Sequence, residues 1–191
     1  FIIEDASHSL GASRNSIKVG SCKWSDITVF SFHPVKIITS GEGGVATTNC
    51  SRIAERIKDL RSHGIVKDQK KFTSKNPPPW LYEQYILGFN YRMSDINAAL
   101  GLSQLKRLKK IITERKMKLD IYNHLIESLP IRFLKIPENV YSALHLGIIS
   151  FDQISEVKHR KIFCSMLNQN IGVQLHYSPI HLQPFYRNMG F

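Results

Sequence analysis

The run Ile27-Thr28-Val29-Phe30-Ser31-Phe32 constrains the fold of this chain more than any other segment. β-Branched and aromatic side chains lose rotamer freedom in a helix but fit a pleated, half-buried surface. His33-Pro34 closes the run, because proline has no N–H to give a ladder. Two shorter runs flank it: Phe1-Ile2-Ile3, and Val45-Ala46-Thr47-Thr48 with Asn49 as its breaker. Short apolar runs bounded by turn residues read as buried strands. Residues 1–50 are therefore expected to be strands joined by turns.

The pattern changes after Asn49. Ile53, Ile57 and Leu60 are spaced for one face of a helix over 52–62, with Ser51 as its cap and Gly64 just past its end. Residues 65–90 hold a polar stretch and Pro77-Pro78-Pro79, and read as a long surface loop. Ser94 caps a helical pattern that runs to about Leu129, long enough to require a break near Gly101, and Pro130 stops it. The remainder alternates: strand over 143–150, helix over 154–169, strand over 173–177. Strand, helix and strand after a long helix suggest a second, smaller α/β unit.

Composition narrows the classes. A hydrophobic fraction of 42% and an aromatic fraction of 10% suit a packed core and not disorder. No apolar stretch reaches the ~18 residues of a membrane span. Cys22, Cys50 and Cys164 are odd in number and form neither a CxxC pair nor a zinc spacing, so no metal is expected. They read as reduced thiols of a cytoplasmic protein, with a single disulfide as the alternative. The formal net charge of +11 raises a nucleic-acid reading. Much of it, however, lies in Lys106, Arg107, Lys109, Lys110, Arg115, Lys116 and Lys118, on one stretch whose apolar stripe is Leu105, Leu108, Ile111 and Ile112. The basic residues then need be only the wet face of an amphipathic helix. A basic nucleic-acid-binding or regulatory module remains the alternative to an enzyme.

The enzyme reading starts from Lys36. It sits in the turn His33-Pro34-Val35-Lys36, between a buried strand and Gly41-Glu42-Gly43-Gly44. Glu4-Asp5 ends the first strand and His8 follows. A lysine held in an apolar turn suits covalent chemistry with a carbonyl. Pyridoxal phosphate enzymes need such a lysine and an acidic partner for the pyridine nitrogen. Each residue also has a plainer role: Lys36 as a turn residue, Asp5 as a helix cap, Ser31 as a strand hydroxyl, the glycines as turn formers.

Several segments together carry a resemblance. Glu4-Asp5-Ala6-Ser7-His8-Ser9-Leu10-Gly11-Ala12, then Asp26 to Lys36, then Gly41-Glu42-Gly43-Gly44, occur in that order. They are followed by Leu60-Arg61-Ser62-His63-Gly64, by Asn90-Tyr91-Arg92-Met93-Ser94-Asp95-Ile96-Asn97-Ala98-Ala99, and by His176-Tyr177-Ser178-Pro179-Ile180-His181. This series resembles the sugar-nucleotide aminotransferases of the DegT/DnrJ/EryC1/StrS family, over nearly the whole chain. The Phe-His-Pro-Val-Lys version is most similar to the 4-aminotransferases of pseudaminic acid synthesis.

The resemblance implies an α/β protein of fold type I. Residues 1–110 would be the C-terminal part of a large domain with a mainly parallel sheet, and 111–191 part of a smaller α/β domain. It implies pyridoxal 5′-phosphate as cofactor, a UDP-linked 4-keto-6-deoxy sugar as acceptor, glutamate as amino donor and a homodimer with shared sites. Lys36 would bind the cofactor and shuttle the proton. Asp5 would pair with the pyridine nitrogen, His8 would meet the ring, Ser31 its phosphate, and Asn90 the phosphate of the partner subunit. His33, Arg92 and His176 are candidates for the sugar or the donor carboxylate. The family's phosphate-binding turn and ring-stacking aromatic lie upstream of the Asp5 motif and cannot be located here. The chain therefore reads as an internal fragment, expected to be inactive or weakly active alone.

Overall fold

The computed structural model describes all of residues 1–191. The chain divides into two compact units, one made of Phe1–Ser128 and Phe133–Ile149, the other of Leu129–Arg132 and Ser150–Phe191.

The first unit is built on a three-stranded sheet. β1 (Ile3–Asp5) precedes a small antiparallel ribbon, β2 (Ser13–Arg14) and β3 (Ile17–Lys18), and the predicted central strand follows as β4 (Ile27–Ser31). β5 (Gly44–Thr47) completes the sheet in the order β1-β4-β5. β1 runs parallel to β4, with Asp5 opposite Val29. β5 returns antiparallel, with Ser31 opposite Gly44. Thr28 and Phe30 are buried on β4, and the Thr28 hydroxyl donates to Glu4 across the pair.

The helix α1 (Ser51–Arg61) begins one residue earlier than the pattern suggests, with Cys50 at its cap position. The expected loop over 65–90 is partly ordered by a two-stranded ribbon, β6 (Ile65–Val66) with β7 (Glu83–Gln84). The long helical pattern breaks, but not at Gly101. α2 (Asp95–Lys106) ends at Arg107 and α3 (Leu108–Ile126) follows. Gly101 lies inside α2, where an added Cβ would come within 3.3 Å of the Ser40 Cβ. Its missing side chain lets α2 approach the loop after Lys36, so it serves close packing instead of a kink. Ser94 caps α2 as expected, accepting from the Asn97 N–H.

Ile37 and Ile38 enter the core directly after Lys36, against Ala12, Ile112 and Ala143. Both neighbours are buried in one cluster, so the turn is anchored from inside. Of the basic series on α2 and α3, Arg115 bonds two backbone carbonyls and Lys116 stacks on Tyr141.

β8 (Ile131–Phe133), β9 (Val140–Tyr141) and β10 (Ile149–Phe151) follow. β9 adds to β2, and β8 pairs with β10. The strand expected over 143–150 forms only at its end, because Leu144 turns the chain with φ +52°. In the second unit α4 (Glu156–Asn168) is capped by Ser155, and α5 (Pro184–Asn188) is short. The strand expected over 173–177 is not formed. Alternation alone does not make a strand without a ladder partner. No helix is long and apolar enough to cross a membrane.

Candidate active site

Parallel strands present their carboxyl ends on one edge, where ligands bind in open α/β sheets. β1 and β4 deliver Asp5 and Ser31 to that edge. The Asp5 carboxylate accepts from the Ser7 hydroxyl at 2.6 Å and from the Ser7 N–H at 3.0 Å. These bonds hold its pKa below the ordinary carboxylate range against a small burial effect, helped by the charges of His8 and Lys36. Asp5 is thus held anionic, within electrostatic reach of His8 and Lys36.

The backbone around Lys36 is closely tied. Its N–H donates to the His33 carbonyl at 2.9 Å. The Phe32 carbonyl accepts from the Ser40 N–H at 3.0 Å and from the Thr39 hydroxyl at 3.0 Å. Ser31 Oγ accepts weakly from the His33 N–H at 3.4 Å. His33 Nδ1 faces the Val35 N–H at 3.3 Å, and its Nε2 lies 3.9 Å from Glu42. Lys36 is half-buried, whereas His33 is exposed.

The glycine run is shaped by its neighbours. Gly43 has φ +151°, and a Cβ there would meet Met93 Cε at 2.6 Å and Ser40 Oγ at 2.7 Å. The fully buried Ser40 donates to the Glu42 carbonyl at 2.8 Å, and Asn97 Nδ2 donates to the same oxygen at 3.1 Å. The run is thus stapled to the start of α2.

Asn90 and Arg92 sit elsewhere on the first unit, along the end of α1, where Phe89 and Tyr91 bond the Leu60 and Arg61 carbonyls. Both are exposed, and neither bonds Asp5, Ser31 or Lys36. His176 belongs to the second unit and its ring lies 3.7 Å from that of Tyr177. No group of side chains has a metal-holding arrangement.

Comparison with known proteins decides the family. The family model of the DegT/DnrJ/EryC1/StrS aminotransferases matches residues 1–190. The chain belongs to this aminotransferase family. Its relatives include the UDP-4-amino-4,6-dideoxy-N-acetyl-beta-L-altrosamine transaminase of Campylobacter jejuni, 39% identical over 98% of this chain and 47% of the relative. Among solved structures, Spr1654 of Streptococcus pneumoniae in its PLP-form superposes with a TM-score of 0.86 at 30% identity, covering 99% of this chain and 47% of that one. PseC of Helicobacter pylori, an aminotransferase in the biosynthesis of pseudoaminic acid, gives 0.82 at 30%, covering 98% and 48%. The chain of this family member spans about half the length of the relatives it matches. The expected α/β, fold type I architecture is borne out by these superpositions.

The residues present fit the family's cofactor. An exposed carboxylate kept anionic suits a protonated pyridine nitrogen, and a lysine amine lies within its electrostatic reach. Sequence reading missed three contacts here: Ser7, Glu42 and Asn97. Only Ser7 left a signal, since a serine two residues after an aspartate commonly bonds it.

Proposed function

We propose that the whole protein is a pyridoxal-phosphate-dependent nucleotide-sugar aminotransferase. Its acceptor is a UDP-linked 4-keto-6-deoxy-N-acetylhexosamine, its donor is glutamate, and its product feeds pseudaminic acid or a related surface glycan. It works in the cytoplasm as a homodimer with shared sites. The observation that carries this reading is the anionic Asp5 at the carboxyl end of β1, within electrostatic reach of Lys36, in a chain of this family. The 39% identity to the altrosamine transaminase supports the sugar class. The nucleic-acid reading is not favoured, since the relatives are sugar aminotransferases, and of the basic series Arg115 and Lys116 are spent on internal contacts.

Bound pyridoxal phosphate supplies the electron sink that lets an amino acid lose its α-proton. Asp5 would keep the pyridine nitrogen protonated and so sustain that sink. Lys36 would take up and return the proton at Nζ, a role suited to an amine carried on a rigid turn. His8 would meet the cofactor's ring and the Ser31 hydroxyl its phosphate. Asn90 would serve the phosphate of the partner subunit. Arg92 offers the planar fork that suits a donor carboxylate, and His33 would contact the sugar.

Reductive trapping tests the reading. Borohydride treatment with pyridoxal phosphate should label the peptide holding Lys36, and Lys36→Ala should abolish both the label and amino transfer from glutamate to the keto sugar. Label at another lysine, or none in the whole protein, would sink it.

A further inference from the structure

A tight turn follows β1. The ladder to β4 continues one residue past Asp5, where the Ala6 N–H donates to the Val29 carbonyl at 2.8 Å and the Ala6 side chain is buried. The Ser9 N–H then closes the turn on the Ala6 carbonyl at 2.8 Å. Ser7 lies inside that turn, so its backbone is held on both sides.

Both donors of Ser7 go to one atom. Its N–H reaches Asp5 Oδ1 at 3.0 Å, and its hydroxyl reaches the same oxygen at 2.6 Å. The shorter distance falls in the range of a hydroxyl bonded to a charged oxygen, roughly 2.5–2.7 Å. Asp5 itself is exposed, and these are the only hydrogen bonds its side chain accepts, so Oδ2 receives none. The two oxygens of an aspartate are equivalent until a neighbour tells them apart, because its last torsion is broad and nearly two-fold. Ser7 makes that distinction: one oxygen is tethered twice and the other is left with open lone pairs.

A protonated pyridine nitrogen offers a single N–H in the plane of its ring. Its best partner is one carboxylate oxygen, held still and not already engaged. We infer that Ser7 is a positioning residue: its N–H and hydroxyl tether Asp5 Oδ1 and thereby present Oδ2 as the oxygen that pairs with the cofactor's ring nitrogen. The inference rests on the reading that this edge holds pyridoxal phosphate. Ser7 touches no reacting atom and acts only through Asp5. Any residue in the turn keeps the N–H, so the side chain's share is the hydroxyl, which threonine also supplies.

Titration of the whole protein with pyridoxal phosphate, and with its analogue carrying carbon in place of the ring nitrogen, tests this. Ser7→Ala should bind pyridoxal phosphate about tenfold more weakly, the lower end of what losing the partner of a ligating group costs at metal sites. It should bind the carbon analogue as tightly as the wild type does, because that ring has no N–H to meet. Ser7→Thr should restore the lost affinity. In the protein without cofactor, the carboxyl carbon signal of Asp5 should move in Ser7→Ala and return in Ser7→Thr. An equal loss for both ligands would make the hydroxyl a general structural support and overturn the inference, as would no loss for either, or an Asp5 signal indifferent to the hydroxyl. If the wild type takes up no pyridoxal phosphate, the cofactor reading falls, and the cofactor-free Asp5 signal still decides whether Ser7 holds the carboxylate.

Discussion

Ser7 does more than Lys36 to keep Asp5 charged. Both of its donors reach one carboxylate oxygen, and these bonds outweigh the more distant charges of His8 and Lys36. Because the folded pKa is lowered, the stabilisation is present above the ordinary carboxylate range and is lost as pH falls through the depressed value. Asp5 should therefore remain anionic from neutral into mildly acidic solution, and Ser7→Ala should move its titration upward toward the ordinary range. Carbon-detected NMR of the Asp5 carboxyl would check this; an unmoved titration would assign the shift to the neighbouring charges. At this scale Asp5 and Lys36 could be singled out because the chemistry proposed for them restricts their residue types. The ring contact between His8 and His145 was not legible, since the two lie 137 positions apart and only the fold joins them.

Loops here are held by single side chains. Glu83 on β7 accepts from the N–H and hydroxyl groups of Thr73 and Ser74 and from the Tyr85 hydroxyl. The Ser74 and Tyr85 hydroxyls, with the Thr73 N–H, lower its pKa to about 2. The clamp is thus fully present above the ordinary carboxylate range and is lost only as pH falls toward that low value. Glu83→Gln should release residues 67–75 at neutral pH, and trypsin should then cut faster at Lys70, Lys71 and Lys75. Equal cutting rates in both proteins would contradict the clamp. Ser155, which caps α4, falls inside the helix expected over 154–169, whereas the helices and the cap at Ser94 were readable from local pattern. The break at Arg107 was not, because Gly101 signals flexibility in sequence but serves packing against Ser40. Local pattern misleads for strands, where pairing decides: β6 and β7 exist because they find each other, and 173–177 finds no partner.

The whole molecule exposes 14945 Å². A compact monomer of 21.9 kDa would expose about 9,300 Å². The excess, about 5,600 Å² on one chain, is larger than one partner's share of most obligate interfaces, which total roughly 2,000–5,000 Å² or more over both partners. Part of it is apolar strand and loop: Phe1 is 82% exposed, Trp80 81% and Leu87 90%. A groove of about 510 Å³ also remains open between Phe1, Ile27 and the Ile53, Ile57 and Leu60 face of α1. The isolated chain should therefore self-associate and bind a hydrophobic dye, despite its charge. Sedimentation velocity would show this, and a monodisperse monomer with no dye binding would refute it. The order of patterns along the chain suggests two units, but it carries no sign of how much surface stays uncovered. Hydropathy marks which residues are apolar and is silent on whether anything covers them.

One consequence of the tied turn concerns time. The backbone beside Lys36 is fastened at Phe32 and by Ile37 and Ile38 in the core, so the main chain there cannot travel with a ligand. Any displacement of the amine must come from rotation about the four methylenes of the side chain. Such rotations take picoseconds to nanoseconds, against nanoseconds to microseconds for a loop. On the role proposed for Lys36, its amine would leave and return many times before a surrounding loop had moved, and proton transfer would not wait on a gate.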